Sequence, residues 1–205
     1  MPAVGETKRS GLMTTLDARA PLVLDTRQLY RRPGSLVEVS RTVPAPEDLG
    51  TDVIGIAEGA PIDLDLRLES VMEGVLVRGV VRADATGACV RCLEQVQDHL
   101  DVPIQELFVY ADRAAHHHEV GNDSGDEDED RRVLEGDLLD LEPAIRDAVV
   151  PALPFQPVCR QDCPGLCSEC GARLADDPDH HHEVIDPRWS ALAGMADAEN
   201  DEKRN

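Results

Sequence analysis

The sequence predicts an α+β fold: mainly an antiparallel β-sheet, with one or two short helices and a cysteine-rich C-terminal segment. Three observations lead there. Ile62 to Val71 is the clearest period-2 segment in the chain, with leucines on one side and charged residues on the other, as a half-buried strand requires. The apolar runs around it are joined by short turn signals, such as Glu73-Gly74, and not by the helix-length crossovers of parallel sheets. Four of the six cysteines fall between Cys159 and Cys170, spaced C-x3-C-x3-C-x2-C, too dense to be explained by packing alone.

Taken in order, residues 1–13 read as a polar tail. Pro21 to Asp25 begins the first strand, and Asp25 can cap a short turn over Thr26 to Leu29. After the Pro33-Gly34 turn, Leu36 to Val43 alternates as a strand, and Pro44 and Pro46 end it. Asp52 to Ile56 has strand character. The Ile62–Val71 strand then turns at Glu73-Gly74 into a partner over Val75 to Ala83. Ala85 to Ala88 reads as a turn into Cys89-Val90-Arg91-Cys92. Gln95 to Tyr110 alternates more loosely, with Pro103 marking an edge or a bulge. Low hydrophobicity and dense acidity over Gly121 to Asp130 indicate a disordered insert. Beyond it, Asp137 can cap a helix carrying Leu138, Leu139, Leu141, Ile145, Val149 and Leu153, with Pro143 at its start or at a kink. After the histidines, Asp186 to Leu192 offers a turn and short helix, whose Trp189 could cover the cysteine region. The resulting organisation is a tail (1–13), an antiparallel β domain with the first C-x2-C (14–113), an acidic insert (114–132), a helix plus Cys/His cluster packing on the sheet (133–192), and a second tail (193–205).

The formal charge is −21, with 41 acidic residues against 20 basic ones. A protein holding nucleic acid chiefly by neutralising phosphates carries a basic face, so this balance points towards basic protein partners and excludes DNA binding of that kind. The positive charge that could still reach RNA is local, at Arg27, Arg31, Arg32 and Arg41. No stretch approaches the roughly 18 apolar residues of a membrane span. The first residues lack the basic-then-apolar layout of a secretory signal, so the expected location is cytoplasmic, where cysteines bind metal or stay reduced.

Zinc sites take four Cys or His ligands, commonly as two closely spaced pairs. In a C-x2-C pair a tight turn aims both thiolates at one point. Cys167-Ser168-Glu169-Cys170 has that form, and Gly171 permits the turn's left-handed exit. Cys89 and Cys92 share the spacing without the glycine. Two assemblies follow. Either Cys167 and Cys170 join His180 and His182, while Cys89 and Cys92 meet Cys159 and Cys163, or the two C-x2-C pairs form one all-thiolate site that leaves Cys159 and Cys163 spare. Zn²⁺ held by four protein ligands has no open position for substrate, so such a site is structural and zinc-knuckle-like. The competing readings are metal-free packed thiols, a redox C-x2-C, and iron–sulfur ligation, for which the expected spacing is absent. No Ser–His–Asp order, phosphate loop or H-E-x-x-H is present.

With these motifs in place the chain resembles the YceD family, named for large ribosomal RNA subunit accumulation. The residues that carry the likeness are Gly74-Val75-Leu76-Val77-Arg78-Gly79, Cys89-Val90-Arg91-Cys92-Leu93-Glu94, Cys159 and Cys163, Gly165-Leu166-Cys167-Ser168-Glu169-Cys170-Gly171, and Asp186-Pro187-Arg188-Trp189. The likeness spans about residues 20–192. Members with a cysteine-rich tail can finish the cluster with further cysteines, where this chain has His180 to His182; both assemblies stay open. The resemblance implies a non-enzymatic factor in large-subunit biogenesis, supporting synthesis, processing or stability of 23S rRNA. The partners it implies are ribosomal proteins or large-subunit precursors, with 23S rRNA contact as a second route. The alternative is a thiol-redox or metal-dependent enzyme using the cysteine pairs.

Overall fold

A computed structural model of the chain describes residues 16–113 and 131–182. The two tails, the acidic run at 121–130 and the segment around Trp189 lie outside the described residues. The chain divides into two compact units, parting between Cys159 and Arg160.

The first unit is built on two sheets, one antiparallel and the other mostly so. Nine strands are described: β1 (Val23–Asp25), β2 (Leu36–Pro44), β3 (Leu49–Gly50), β4 (Ile54–Ile56), β5 (Pro61–Ser70), β6 (Gly74–Ala88), β7 (Gln95–Val109), β8 (Arg132–Val133) and β9 (Leu138–Asp140), followed by helix α1 (Glu142–Ala152). β6 is the axis of the larger sheet. One of its edges takes β5 and then β4, and the other takes β7 along its full length. β2 lies outside β5, β3 outside β4, and β8 adds a short parallel pairing to the end of β7. β1 and β9 form a separate antiparallel pair. The fold is α+β, mostly antiparallel sheet with few short helices, as the alternation of Ile62–Val71 predicts.

The period-2 pattern decides which face is buried. Ile62, Leu64, Leu66 and Leu68 of β5 lie on one face with Val75, Val77 and Val81 of β6 and Leu100, Val102, Ile104 and Phe108 of β7. Into the same core go Leu24, Leu139, Leu141 and the Ala144, Ile145 and Val149 stripe of α1. With so few aromatics, this core is aliphatic, and removing its apolar area from water is what holds the layers together. Gly79 occupies a close approach between strands: a methyl group there would sit 2.1 Å from the carbonyl oxygen of Asp65.

Three local expectations are corrected. Leu138 and Leu139 belong to β9, not to a helix, because backbone pairing with Val23–Asp25 takes them before Pro143 opens α1 at its first positions. The carboxylate at the helix start is Asp140, whose Oδ1 accepts the Glu142 N–H at 2.9 Å; the Asp137 carbonyl instead accepts the Thr26 N–H at 2.8 Å. Ala85 to Ala88 is no turn, since β6 continues through Ala88 and the chain reverses at the cysteine pair itself. Pro103 lies within β7 opposite Val80 without a bulge. At the 3-10 turn Arg27–Leu29 the N-cap position is taken by Thr26, whose side chain makes no capping bond, while Asp25 one residue earlier accepts the Arg27 N–H with Oδ1 at 3.0 Å.

Candidate metal centres

The first cysteine pair forms the tip of the β6–β7 hairpin. The Cys89 N–H donates to the Glu94 carbonyl at 2.7 Å and the Leu93 N–H returns to the Cys89 carbonyl at 2.9 Å, closing a four-residue loop. Leu93 adopts a left-handed φ of 61° to complete that reversal. The Val90 N–H donates to the Pro157 carbonyl at 2.9 Å, which docks the segment after α1 against the loop and sets Cys159 beside it. The Sγ atoms of Cys89, Cys92 and Cys159 lie within 4.8 Å of one another, with Cys92 and Cys159 3.6 Å apart. Thiolates on the corners of a zinc tetrahedron are ~3.8 Å apart, given Zn–S bonds of about 2.3 Å. Burial pushes the Cys89 thiol up, but the N–H groups of Cys159, Arg91 and Cys92, all aimed at its sulfur, outweigh that and lower it to about 6. A thiolate so supported is available to coordinate a metal at neutral pH.

The second unit carries a complete knuckle. The Cys167 N–H donates to the Ala172 carbonyl at 2.7 Å, the Gly171 N–H to the Cys167 carbonyl at 2.9 Å, and the Leu174 N–H to the Gly165 carbonyl at 3.1 Å. Gly171, with φ at +73°, supplies the left-handed exit that a side chain would resist. The loop's Cys170 and Glu169 N–H groups hydrogen-bond the Cys167 sulfur and, with His180 and Cys170 beside it, lower that thiol to about 6 despite burial. His180 and His182 complete the group, and its four ligand atoms lie within 4.8 Å of one another. The Cys170 Sγ is 3.2 Å from Nε2 of both imidazoles, and the two Nε2 atoms are 3.0 Å apart. One proton can bridge only one edge of that triangle, whereas a cation at its centre satisfies all three atoms. The corresponding edges of a zinc tetrahedron are about 3.6 Å for N···S and about 3.3 Å for N···N. Behind the ligands, Asp177 places a carboxylate oxygen 3.9 Å from His180 Nδ1, on the side where a carboxylate orients a ligating imidazole.

Sequence reasoning missed the parts that hold these ligands. Pro157 contributes only a carbonyl, which no side-chain pattern reveals. Asp177 was legible as an acid three residues before a histidine. Cys163 is buried, its N–H bonded to the Arg160 carbonyl at 3.1 Å. None of the six cysteines is in a disulfide.

The four arginines singled out for partner contact are largely engaged within the chain. Arg27 is paired with Asp25. Arg31 lies 4.8 Å over the Tyr110 ring, donates to the Gly136 carbonyl at 3.0 Å, and faces Asp112 and Asp137 at 3.6 and 3.5 Å. Arg41 donates to the carbonyls of Pro21 and Val23, and burial lowers its pKa. Arg32 is exposed. Among the described residues, no helix is long and apolar enough to cross a membrane.

A family model described as large ribosomal RNA subunit accumulation protein YceD matches residues 77–196. The chain belongs to the YceD family. That match begins in β6 and takes in every cysteine and histidine discussed above, and it supports a general role in ribosome biogenesis. Uncharacterized proteins of Mycobacterium bovis and Mycobacterium tuberculosis are 48% identical over 185 residues, covering 90% of this chain and 86% of theirs. One of Mycobacterium leprae is 43% identical over 189 residues, covering 92% of this chain and 84% of its own. No solved structure matches. This YceD-family chain is a cysteine-rich variant, and its Cys/His groups are suited to coordinating metal.

Proposed function

We propose that the chain is a non-enzymatic factor in large ribosomal subunit biogenesis, supporting 23S rRNA synthesis, processing or stability in the cytoplasm by binding ribosomal protein or a precursor particle. The family match over residues 77–196 is the observation that carries this reading. Two structural Zn²⁺ ions belong to it. One is held by Cys167, Cys170, His180 and His182. The other takes Cys89, Cys92 and Cys159, and the sequence spacing offers Cys163, four residues beyond Cys159, as fourth ligand. Zinc supplies cross-links here and no chemistry: four protein ligands leave it no position for a substrate.

Protein is favoured over RNA as the main partner. The charge of −21 repels phosphate at long range, and Arg27, Arg31 and Arg41 are committed within the chain. The thiol-redox alternative is disfavoured because Cys89 and Cys92 are 0% and 6% exposed, so a substrate disulfide does not reach them. The test is depletion followed by profiling of ribosomal particles. A fall in large relative to small subunits is expected; an unchanged ratio overturns the reading.

A further inference from the structure

We infer that the free edge of β7, over Gln95–Asp101, is a docking strand for an extended, Lys/Arg-rich segment of a partner protein, which adds to the sheet as one more strand. The inference rests on the protein-partner reading above and gives it a place and a geometry.

The direction of each backbone group along β7 follows from three observations. The β6–β7 register is unbroken from Gly74↔Val109 to Ala88↔Gln95, so inward and outward residues alternate without a slip. The Leu134 N–H donates to the Val109 carbonyl, so Val109 faces away from β6. The Tyr110 N–H donates to the Glu73 carbonyl, so its neighbour faces towards it. Counting back by twos, Gln105, Pro103, Asp101, His99, Gln97 and Gln95 turn their backbone groups outward. Pro103, which has no N–H to give, falls on an outward position, as a proline inside a strand must. Among the described residues only β8 pairs with this edge, at Phe108 and Val109. The edge therefore already accepts an added strand at one end, and the stretch from Gln95 to Asp101 presents donors and acceptors that no described residue meets, before Pro103 interrupts them.

Charge selects the occupant. β7 carries Asp98, Asp101 and Glu106 and no Lys or Arg. Asp101 is paired with Arg82 of β6 at 2.8 Å and Glu106 with Arg132 at 3.3 Å, which leaves Asp98 as the acid of the three with its charge unanswered among the described residues. The neighbouring strand adds Asp84, which meets His99 at 2.7 Å, and Arg82, which is shared between Asp65 and Asp101, so acids still outnumber bases at this end of the sheet. A second copy of this chain would set the same acids against each other, and the run Asp123 to Asp130 bears the same sign. A basic extended segment meets the ladder and the charge together.

The probe is a short peptide of alternating Thr and Lys, with the same peptide N-methylated at every second residue as control. Amide exchange in the intact protein is followed by NMR. On saturation, exchange at Gln97, His99 and Asp101 is expected to slow about tenfold, and the N-methylated peptide, equal in charge but lacking ladder donors, has no effect. Unchanged exchange, protection on another face, or equal action of the methylated peptide overturns the inference. Gln97→Pro removes only an outward N–H, so the variant keeps its sheet and loses the peptide; a folded variant that binds undiminished also overturns it. Asp98→Asn, which leaves the backbone intact, weakens binding severalfold. Co-sedimentation with large-subunit precursor particles separates the two levels. Wild type bound and Gln97→Pro released supports the strand. Both bound defeats the strand and leaves the proposed function standing, while unbound wild type defeats the function.

Discussion

The Nε2 atoms of His180 and His182 stand 3.0 Å apart, both turned towards the Cys170 sulfur. Two imidazoles two residues apart on an exposed loop gain little from such convergence in water, and a shared cation supplies the reason for it. Purified chain is expected to hold about two equivalents of zinc, one for each group of donors. Cys170→Ala or His182→Ala should remove one equivalent and leave the other, as read by elemental analysis with thiol alkylation. Full zinc retention by both variants would rule out this ligand set.

Cys159→Ala tests the other centre. Its sulfur lies 3.6 Å from that of Cys92, at the tip of the β6–β7 hairpin. Loss of about one equivalent of zinc, with alkylation of Cys89 and Cys92, is the expected outcome. Unchanged metal content would leave Cys159 an exposed thiol outside the ligand set.

Ser70 is fully buried, and its hydroxyl shares a hydrogen bond of 3.1 Å with that of Tyr110. Tyr110→Phe strands the Ser70 hydroxyl in the core at a cost of about 1–3 kcal/mol. Adding Ser70→Ala to that variant should recover part of the loss. Urea denaturation of the single and double variants measures both, and an additive double variant would show that the two hydroxyls are not coupled.

Gly79→Ala places a methyl group 2.1 Å from a backbone oxygen of the adjacent strand, which cannot move without disturbing the β5–β6 register. Destabilisation of about 1–3 kcal/mol is expected. Gln105→Ala, at the exposed position opposite Arg78, should stay within about 0.5 kcal/mol and serves as the control. Equal stability of the two variants would mean that Gly79 is there for no packing reason.

His99 has its pKa raised, first by its hydrogen bond with Asp84 at 2.7 Å, with the charges of Asp84 and Asp101 adding to that. Because the folded value lies above the unfolded one, the pair's contribution is fully present below an ordinary imidazole pKa of about 6.5. It is lost as pH rises through the folded value. An NMR titration should find His99 titrating above the ordinary range, and Asp84→Asn should bring it down. An unmoved titration in the variant would sink the assignment to Asp84.

How much was legible in the sequence depended on how local each cause is. Ile62 to Val71 declared its strand and its buried face, because alternation at period 2 needs no knowledge of neighbours. Cys167-Ser168-Glu169-Cys170-Gly171 declared its knuckle, since two thiolates and a left-handed exit are contained in five residues. Leu138 and Leu139 misled, because a few apolar residues before a proline suit a helix or a strand equally, and the decision lies with Val23–Asp25, more than 100 residues away. The two-residue β3 has too little sequence to carry any pattern.

The sequence by itself determined the α+β class, the antiparallel character of the sheet, the ligand types and the family. All of these rest on periodicity, on short spacings and on motif pairs that survive without coordinates. Tertiary structure decided that the Cys89–Cys92 loop is the tip of a hairpin and not a turn beyond one. It also decided which thiol comes near that loop, through the hydrogen bond from Val90 to Pro157. It engaged most of the candidate contact arginines with carbonyls and carboxylates of the same chain, and among the described residues it left the outer side of Gln95–Asp101 in β7 without a paired strand. Those outcomes depend on strand register and chain return, which are set by the burial of a whole core and not by any one segment.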